Sequence, residues 1–333
     1  MRSARLTLAL ETGALSLPPE GPIAVWRPQA GDDLSALPKD RVVVIQGFRP
    51  DHDAFERQGF DTRVAAEGPF AAALVCLPRA RAEARALVAE AAAKVMPGGL
   101  VIVDGQKTDG VESMHRDLRS RVEVTTALAK AHGKIFGFVA GQADAGWEDW
   151  AAVPTRLADG FVTLPGVFSA DGPDRGSALL AAALPAKLPG RIVDLGAGWG
   201  YLARAILARE GVKRLDLVEA EAAALDCARQ NVTDPRAQFH WADALSFRPE
   251  GAVDAVVCNP PFHTARAADP ALGVAFIRAA AAMLQPAGTL WLVANRHLPY
   301  GPVLAACFRE IEDIGGDGAF RLTRAARPIK ARQ

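Results

Sequence analysis

The sequence predicts an α/β protein made of two tandem units, each a mainly parallel sheet flanked by helices. Three observations carry that prediction. Short apolar runs alternate with helical stretches of ten or more residues, which implies a parallel sheet covered on both faces. The runs are continuously apolar, as strands buried on both sides must be. Segments of the second half also reappear in the first.

In the second half, strands are expected at 191–195, 214–218, 238–241, 252–258 and 289–294, with helices at 201–210, 220–230 and 270–284. In the first half, Ala72-Ala73-Leu74-Val75-Cys76-Leu77-Pro78 lines up with Asp254-Ala255-Val256-Val257-Cys258-Asn259-Pro260. An alanine-rich helix follows in both. Val95-Met96-Pro97-Gly98-Gly99 and Leu284-Gln285-Pro286-Ala287-Gly288 then each lead into a strand. A second unit of the same kind is the natural reading.

The departures between the copies are informative. On this alignment Leu77 stands where the second half has Asn259, and Arg79-Ala80 where it has Pro261-Phe262. The strand at 41–45 runs into Gln46-Gly47-Phe48-Arg49-Pro50, without the repeated glycines of 196–200. Residues 1–150 are therefore expected to form a degenerate copy that binds no cofactor, and residues 151–333 the catalytic unit. The boundary is expected between Gly141 and Gly160.

Bulk properties fit a soluble globular protein of 333 residues, half of them apolar. Lys plus Arg and Asp plus Glu balance at 38 each, which argues against broad nonspecific binding to nucleic acid. A local basic patch is compatible with that balance, and Arg321, Arg324, Arg327, Lys330 and Arg332 form a candidate with no acidic residue among them. The four cysteines are scattered, so neither a zinc site nor a disulfide framework is expected. No apolar run approaches membrane-spanning length. Arg2 to Leu10 is broken by Glu11 too early for a signal peptide. A cytoplasmic protein is expected.

Arg191-Ile192-Val193-Asp194-Leu195-Gly196-Ala197-Gly198-Trp199-Gly200 reads as a buried strand entering a glycine-rich turn. Such turns bring backbone close to a ligand. A dinucleotide site needs Gly-x-Gly-x-x-Gly, and Tyr201 occupies the third glycine's place. No Gly-Lys-Ser/Thr follows, which excludes a phosphate-binding loop of that kind. What remains, Asp-x-Gly-x-Gly-x-Gly, resembles the first motif of class I methyltransferases, which implies S-adenosylmethionine, a cofactor without phosphate and so tolerant of an acidic residue at Asp194. Glu219 follows 25 residues later at the next strand's end, placed to accept from both ribose hydroxyls. Asp243 ends the third strand, placed to accept from the adenine amino group. Gly196, Ala197, Gly198, Gly200, Asp194, Glu219 and Asp243 are the expected cofactor residues, with Phe168 and Ser169 lining the same pocket. Trp199 reads as a packing residue.

Cys258-Asn259-Pro260-Pro261-Phe262-His263 follows another buried strand. An exocyclic amine on a base is a poor nucleophile because its lone pair is delocalised. An Asn259 side-chain oxygen and a Pro260 carbonyl, each accepting one N–H, would hold that nitrogen toward tetrahedral geometry and stabilise its developing positive charge. Pro261 rigidifies the turn, and both prolines stand where no strand pairing is lost. Phe262 offers a stacking face. His263 has two readings, contact with the target base or proton acceptance on the one hand and a structural role on the other. The chemistry suits a base in RNA or DNA and equally a protein glutamine. A non-enzymatic RNA-binding or assembly factor is the remaining alternative, against which the intact Asp194, Gly196, Gly198, Glu219 and Asn259 argue.

Asp194-x-Gly196-x-Gly198-x-Gly200 resembles the first motif of class I methyltransferases. With Asn259–His263, the stretch Leu164-Pro165-Gly166-Val167-Phe168-Ser169-Ala170-Asp171-Gly172-Pro173-Asp174-Arg175-Gly176-Ser177 and Val293-Ala294-Asn295-Arg296-His297-Leu298-Pro299-Tyr300, the chain resembles the ribosomal RNA guanine-N2 methyltransferases of the small-subunit type and their large-subunit relatives. The resemblance covers most of 161–327 and, more weakly, 20–140. It implies two tandem class I methyltransferase-like (Rossmann-like) domains with mainly parallel seven-stranded sheets, the first degenerate and helping to hold RNA. It further implies S-adenosylmethionine-dependent methylation of guanine N2 in ribosomal RNA, 16S by preference, by a monomer acting on RNA or the small ribosomal subunit. Swinging a base out of RNA costs a few kcal/mol. Stacking on one aromatic returns about 1–3 kcal/mol, so RNA contacts elsewhere must supply the rest.

Overall fold

The computed structural model describes residues 2–142, 146–261, 263–264, 267–268 and 270–329. The chain divides into two compact units, Met1–Pro154 and Thr155–Gln333. Each is built on a seven-stranded sheet.

In the first unit the strands are β1 (Ile23–Trp26), β2 (Val42–Ile45), β3 (Asp61–Arg63), β4 (Phe70–Cys76), β5 (Val95–Gln106), β6 (Leu128–Lys130) and β7 (Gly133–Val139). Their order is β3-β2-β1-β4-β5-β7-β6, with β7 antiparallel to both neighbours. Every residue of β1, β2 and β4 is buried, as two covered faces require. Helices α1 (Arg2–Glu11) and α2 (Arg49–Arg57) contribute to the core on one face, α3 (Arg81–Lys94) and α4 (Val111–Arg119) to the core on the other.

The N-terminal segment is part of this fold. On α1 the fully buried Arg5 donates from Nε and Nη2 to the two oxygens of buried Asp104, at 2.6 and 2.9 Å. Arg2 adds a third bond to the same carboxylate at 2.6 Å. The charges are buried together, so each is compensated where an isolated one would be costly.

The second unit repeats the plan with β8 (Arg191–Leu195), β9 (Arg214–Glu219), β10 (Ala237–Trp241), β11 (Val253–Cys258), β12 (Leu284–Asn295), β13 (Phe308–Gly316) and β14 (Phe320–Pro328). The order β10-β9-β8-β11-β12-β14-β13 is the same as in the first unit, and β14 is the antiparallel insert. Helices α5 (Arg175–Ala183), α6 (Tyr201–Leu207) and α7 (Ala222–Asn231) cover one face; α8 (Pro270–Met283) and α9 (Gly301–Cys307) cover the other. The tandem α/β architecture is the one the sequence predicts.

The ladders correct two details of the repeat. Trp26 pairs with Ile45 and Val75, while Leu195 pairs with Val218 and Cys258. Both sheets also break register at the same place, between Phe70 and Ala72 and between Val253 and Ala255. This register equates Val75 with Cys258 and Cys76 with Asn259, so Leu77 is not the counterpart of Asn259. The sheet faces agree: Cys76 packs on the α1/α2 side, whereas Cys258 and Val75 both belong to the other kind of face. The matching cysteines had shifted the alignment by one residue, which inverts a strand's faces. The counterpart of β8 is β1, leading into Arg27-Pro28-Gln29, and not the strand at 41–45, which is the counterpart of β9.

The basic run near the C-terminus is also corrected. It forms β14, and its arginines are paired across to β13: Arg321 with Asp313, Arg324 with Glu312 and Arg327 with Glu310, at 3.4, 3.5 and 3.1 Å. A linear stretch without acids has become a balanced ladder. Lys330 and Arg332 lie outside the described residues.

Candidate active site

The glycine turn links β8 to α6 at the end of the sheet where β9 and β11 also terminate. Gly196, Gly198 and Gly200 all have positive φ, at 82°, 54° and 91°. They do different work. A side chain at Gly200 would come within 2.9 Å of Val232 and 3.4 Å of Ala228, so this glycine lets the start of α6 pack on α7. A side chain at Gly198 would meet nothing within 4 Å, and this glycine faces open space.

That space is a small, partly open cavity. Six residues singled out in the sequence line it: Phe168, Ser169, Gly196, Ala197, Gly198 and Asn259. Trp199 is buried against Phe161 and Tyr201, as a packing residue, and its Nε1 donates to the Phe168 carbonyl at 2.9 Å. Ser169 takes positive φ and donates from Oγ to the Gly172 carbonyl at 2.7 Å, which shapes the cavity wall.

Two carboxylates belong to the floor of the turn. Asp194 is fully buried on β8, and neither oxygen makes a well-formed hydrogen bond among the described residues. Burial, then the negative charge of Glu219, push it from 3.8 up to about 8, and the nearby Ala203 N–H offsets part of this. Glu219 is held at the end of β9 by two backbone donors: Gly198 N–H to Oε2 and Glu221 N–H to Oε1, both at 2.8 Å. Burial raises its pKa, and these N–H groups oppose the rise. Each oxygen still has a second lone pair to offer.

Asn259 follows β11. Its Nδ2 donates to Asp174 Oδ2 at 2.9 Å and to Ser177 Oγ at 2.8 Å. With both N–H groups engaged in this way, the amide has Oδ1 to present elsewhere. Pro260 is buried and Pro261 exposed. Phe262 lies outside the described residues. His263 pairs through its backbone with Ala268 in a two-stranded ribbon, and its side chain lies outside the description.

Asp243 lies two residues beyond β10, and its Oδ1 accepts from the Leu245 N–H at 2.9 Å. Like Asp194, Gly200 and Glu219, it is not among the residues that line the cavity. Sequence reasoning gave no role to Asp174, Ser177 or Asn231. Asp174 caps α5 by accepting from the Ser177 N–H at 2.8 Å; the Asp-x-x-Ser spacing is an N-cap signal. Asn231 ties the end of α7 to Val162 and to the glycine turn, donating to the Val162 and Trp199 carbonyls and accepting from the Val162 N–H.

Comparison with known proteins places this geometry. Residues 159–324 match the methyltransferase small domain family. The ribosomal RNA small subunit methyltransferase C of Pseudomonas paraeruginosa is 34% identical over 281 residues, covering 82% of this chain and 83% of the relative. That of Klebsiella pneumoniae is 31% identical over 242 residues, covering 71% and 70%. Among solved structures, the T. thermophilus 16S rRNA N2 methyltransferase in complex with AdoMet and guanosine superimposes with a TM-score of 0.79, at 25% identity, covering 98% of this chain and 91% of that one. A matched domain that contains the glycine turn and Asn259, and relatives matched along most of their length, lead to one conclusion: the chain belongs to the ribosomal RNA small subunit methyltransferase C family.

Proposed function

We propose that this protein transfers a methyl group from S-adenosylmethionine to the exocyclic N2 amine of a guanine in 16S ribosomal RNA. The observation that carries the reading is the seating of Asn259 on the wall of the cavity opened by the glycine turn, its amide nitrogen committed to Asp174 and Ser177. Family membership supplies the substrate class.

The residues present fit the cofactor. Asp194 is a buried acceptor without a well-formed partner among the described residues, and Glu219 is oriented by two backbone donors with lone pairs to spare for ribose hydroxyls. Gly196, Ala197 and Gly198 line the cavity with the turn's backbone, together with Phe168 and Ser169. When bound, S-adenosylmethionine supplies an electrophilic methyl group on a sulfonium centre.

The chain's own contribution is positioning and electrostatics. Asn259 Oδ1 and the Pro260 carbonyl each accept one N–H of the guanine amine, which localises its lone pair and stabilises positive charge forming on nitrogen. Pro261 stiffens the segment, while Phe262 and His263 bear on the base. Asp243 completes the cofactor set beyond β10. The first unit, which carries Cys76 at the counterpart of Asn259, holds RNA rather than cofactor, and the protein acts as a monomer.

Incubation with methyl-labelled cofactor and either 30S subunits or free 16S RNA tests the reading. Label should appear as N2-methylguanine in RNA. Label confined to protein, or to adenine, would overturn it.

A further inference from the structure

We propose that Asp174 is a positioning residue for the reaction: its carboxylate, together with the Ser177 hydroxyl, holds the Asn259 amide so that Oδ1, and not Nδ2, faces the substrate amine. This rests on the guanine-N2 reading of the same site.

The two ends of an amide differ little in size, so packing alone does not decide which end faces the cavity. The neighbouring charges do. Asp174 Oδ2 lies 2.9 Å from Asn259 Nδ2, and Ser177 Oγ lies 2.8 Å from the same atom. Reversing the amide would put its oxygen against a carboxylate oxygen, two acceptors with no proton between them. It would also present an N–H₂ to an amine that itself needs acceptors. Asp174 therefore excludes the unproductive orientation electrostatically. An amide that donates to an anion also carries more negative charge on its own oxygen, so the arrangement strengthens the acceptor it aims.

The short sequence Asp174-Arg175-Gly176-Ser177 is built for this task. Asp174 is the N-cap of α5, and its charge sits at the positive end of that helix. Ser177 is buried, donates its backbone N–H to Asp174 and turns its hydroxyl to Asn259. A side chain at Gly176 would lie 3.1 Å from Asp174 Oδ2 and 3.0 Å from the Phe320 ring, so glycine keeps the space in which the carboxylate sits. Asp174 and Ser177 line the same cavity as Asn259, and the role proposed for Asp174 is exerted through the Asn259 amide.

The N-cap role and the positioning role are separable. Serine is as good an N-cap as aspartate, but its hydroxyl is too short to serve the cap and Asn259 together. In Asp174→Ser the melting temperature and the KM values for cofactor and RNA should stay near wild type, while kcat falls about 10- to 100-fold. Asp174→Asn, which keeps an acceptor oxygen, should recover most of the loss. A direct readout is available, because the chain contains Asn231, Asn259 and Asn295 and no other asparagine. With ¹⁵N-asparagine labelling, the Asn259 side-chain amide signals should shift in Asp174→Ser while those of Asn231 stay in place and report an intact fold. Wild-type kcat in Asp174→Ser, or unmoved Asn259 signals, overturns the proposal. If Asp174→Ser does not fold, Ser177→Ala removes one acceptor and keeps the cap; it should show the same pattern at smaller amplitude, and wild-type kcat there overturns the proposal too. Failure of the wild-type protein to methylate guanine would instead defeat the parent reading, and the amide signals would still decide the positioning.

Discussion

Gln46 and Glu219 occupy the same ladder position in the two sheets, and each accepts through a side-chain oxygen from the N–H two residues ahead, Phe48 and Glu221, at 2.9 and 2.8 Å. The scaffold of the turn is shared, but the charge is not. Glu219 receives a further N–H from the glycine turn, whereas Gln46 donates to the Pro28 carbonyl and accepts from Arg27. Glu219→Ala should therefore weaken cofactor binding by about 10- to 100-fold, from the loss of charge-assisted hydrogen bonds. Gln46→Ala should leave it unchanged. Isothermal titration of both variants checks the contrast, and equal affinities would contradict it.

Asn259→Ala should abolish detectable methyl transfer, a fall of about 10²–10³ or more in kcat, with cofactor affinity near wild type. Single-turnover transfer to 30S subunits and equilibrium binding measure the two effects separately. A matching loss of both would make Asn259 a cofactor residue.

The buried Asp194 makes stability depend on pH. In the unfolded chain it ionises near 3.8, in the folded one near about 8. Between those values the folded state holds the extra proton, so the stability due to the neutral carboxyl is full below 3.8 and is lost as pH rises through about 8. The melting temperature of cofactor-free protein should fall over that window relative to Asp194→Asn. A difference that grows in the opposite direction would exclude the assignment.

Gly200→Ala and Gly198→Ala should separate fold from function. At Gly200 the new methyl meets Val232 and Ala228 on a backbone with φ of 91°, and a loss of about 2–4 kcal/mol in stability is expected. At Gly198 there is room, so the backbone strain of about 1–2 kcal/mol is the main stability cost, and the larger effect should be on cofactor affinity. Denaturant titration and binding measurements rank the two variants.

In the first unit, Asp104→Ala strands the fully buried Arg5 without its counter-charge, while Arg2 keeps Asp32. Leaving one partner of a buried pair uncompensated costs about 3–5 kcal/mol. Chemical denaturation followed by tryptophan fluorescence should show it, and a loss under about 1 kcal/mol would mean that water reaches the pair.

Much of this was legible in the chain itself. The continuous apolar runs gave the central strands of the second unit almost to the residue, because burial on both faces leaves little choice of side chain. β13 was not legible, since its solvent-exposed residues, from Arg309 to Glu312, show no apolar period. β14 was read as a basic patch because the acids that neutralise it are contributed by a neighbouring strand. In the site, the glycine turn and Asn259 announced themselves through backbone and chemistry. Asp174 did not, because an N-cap aspartate looks the same whether or not its second lone pair holds another side chain.

The exposed acids of β13 also bear on how the sheet ends. β13 is an outermost strand, and Glu310, Glu312 and Asp313 face arginines of β14 on its inner side. A further strand adding to its open backbone would crowd these carboxylates and strip their water, with no second row of cations to compensate. The margin of the sheet is thus guarded against templating its own growth, the protection that a long, flat and apolar border would lack.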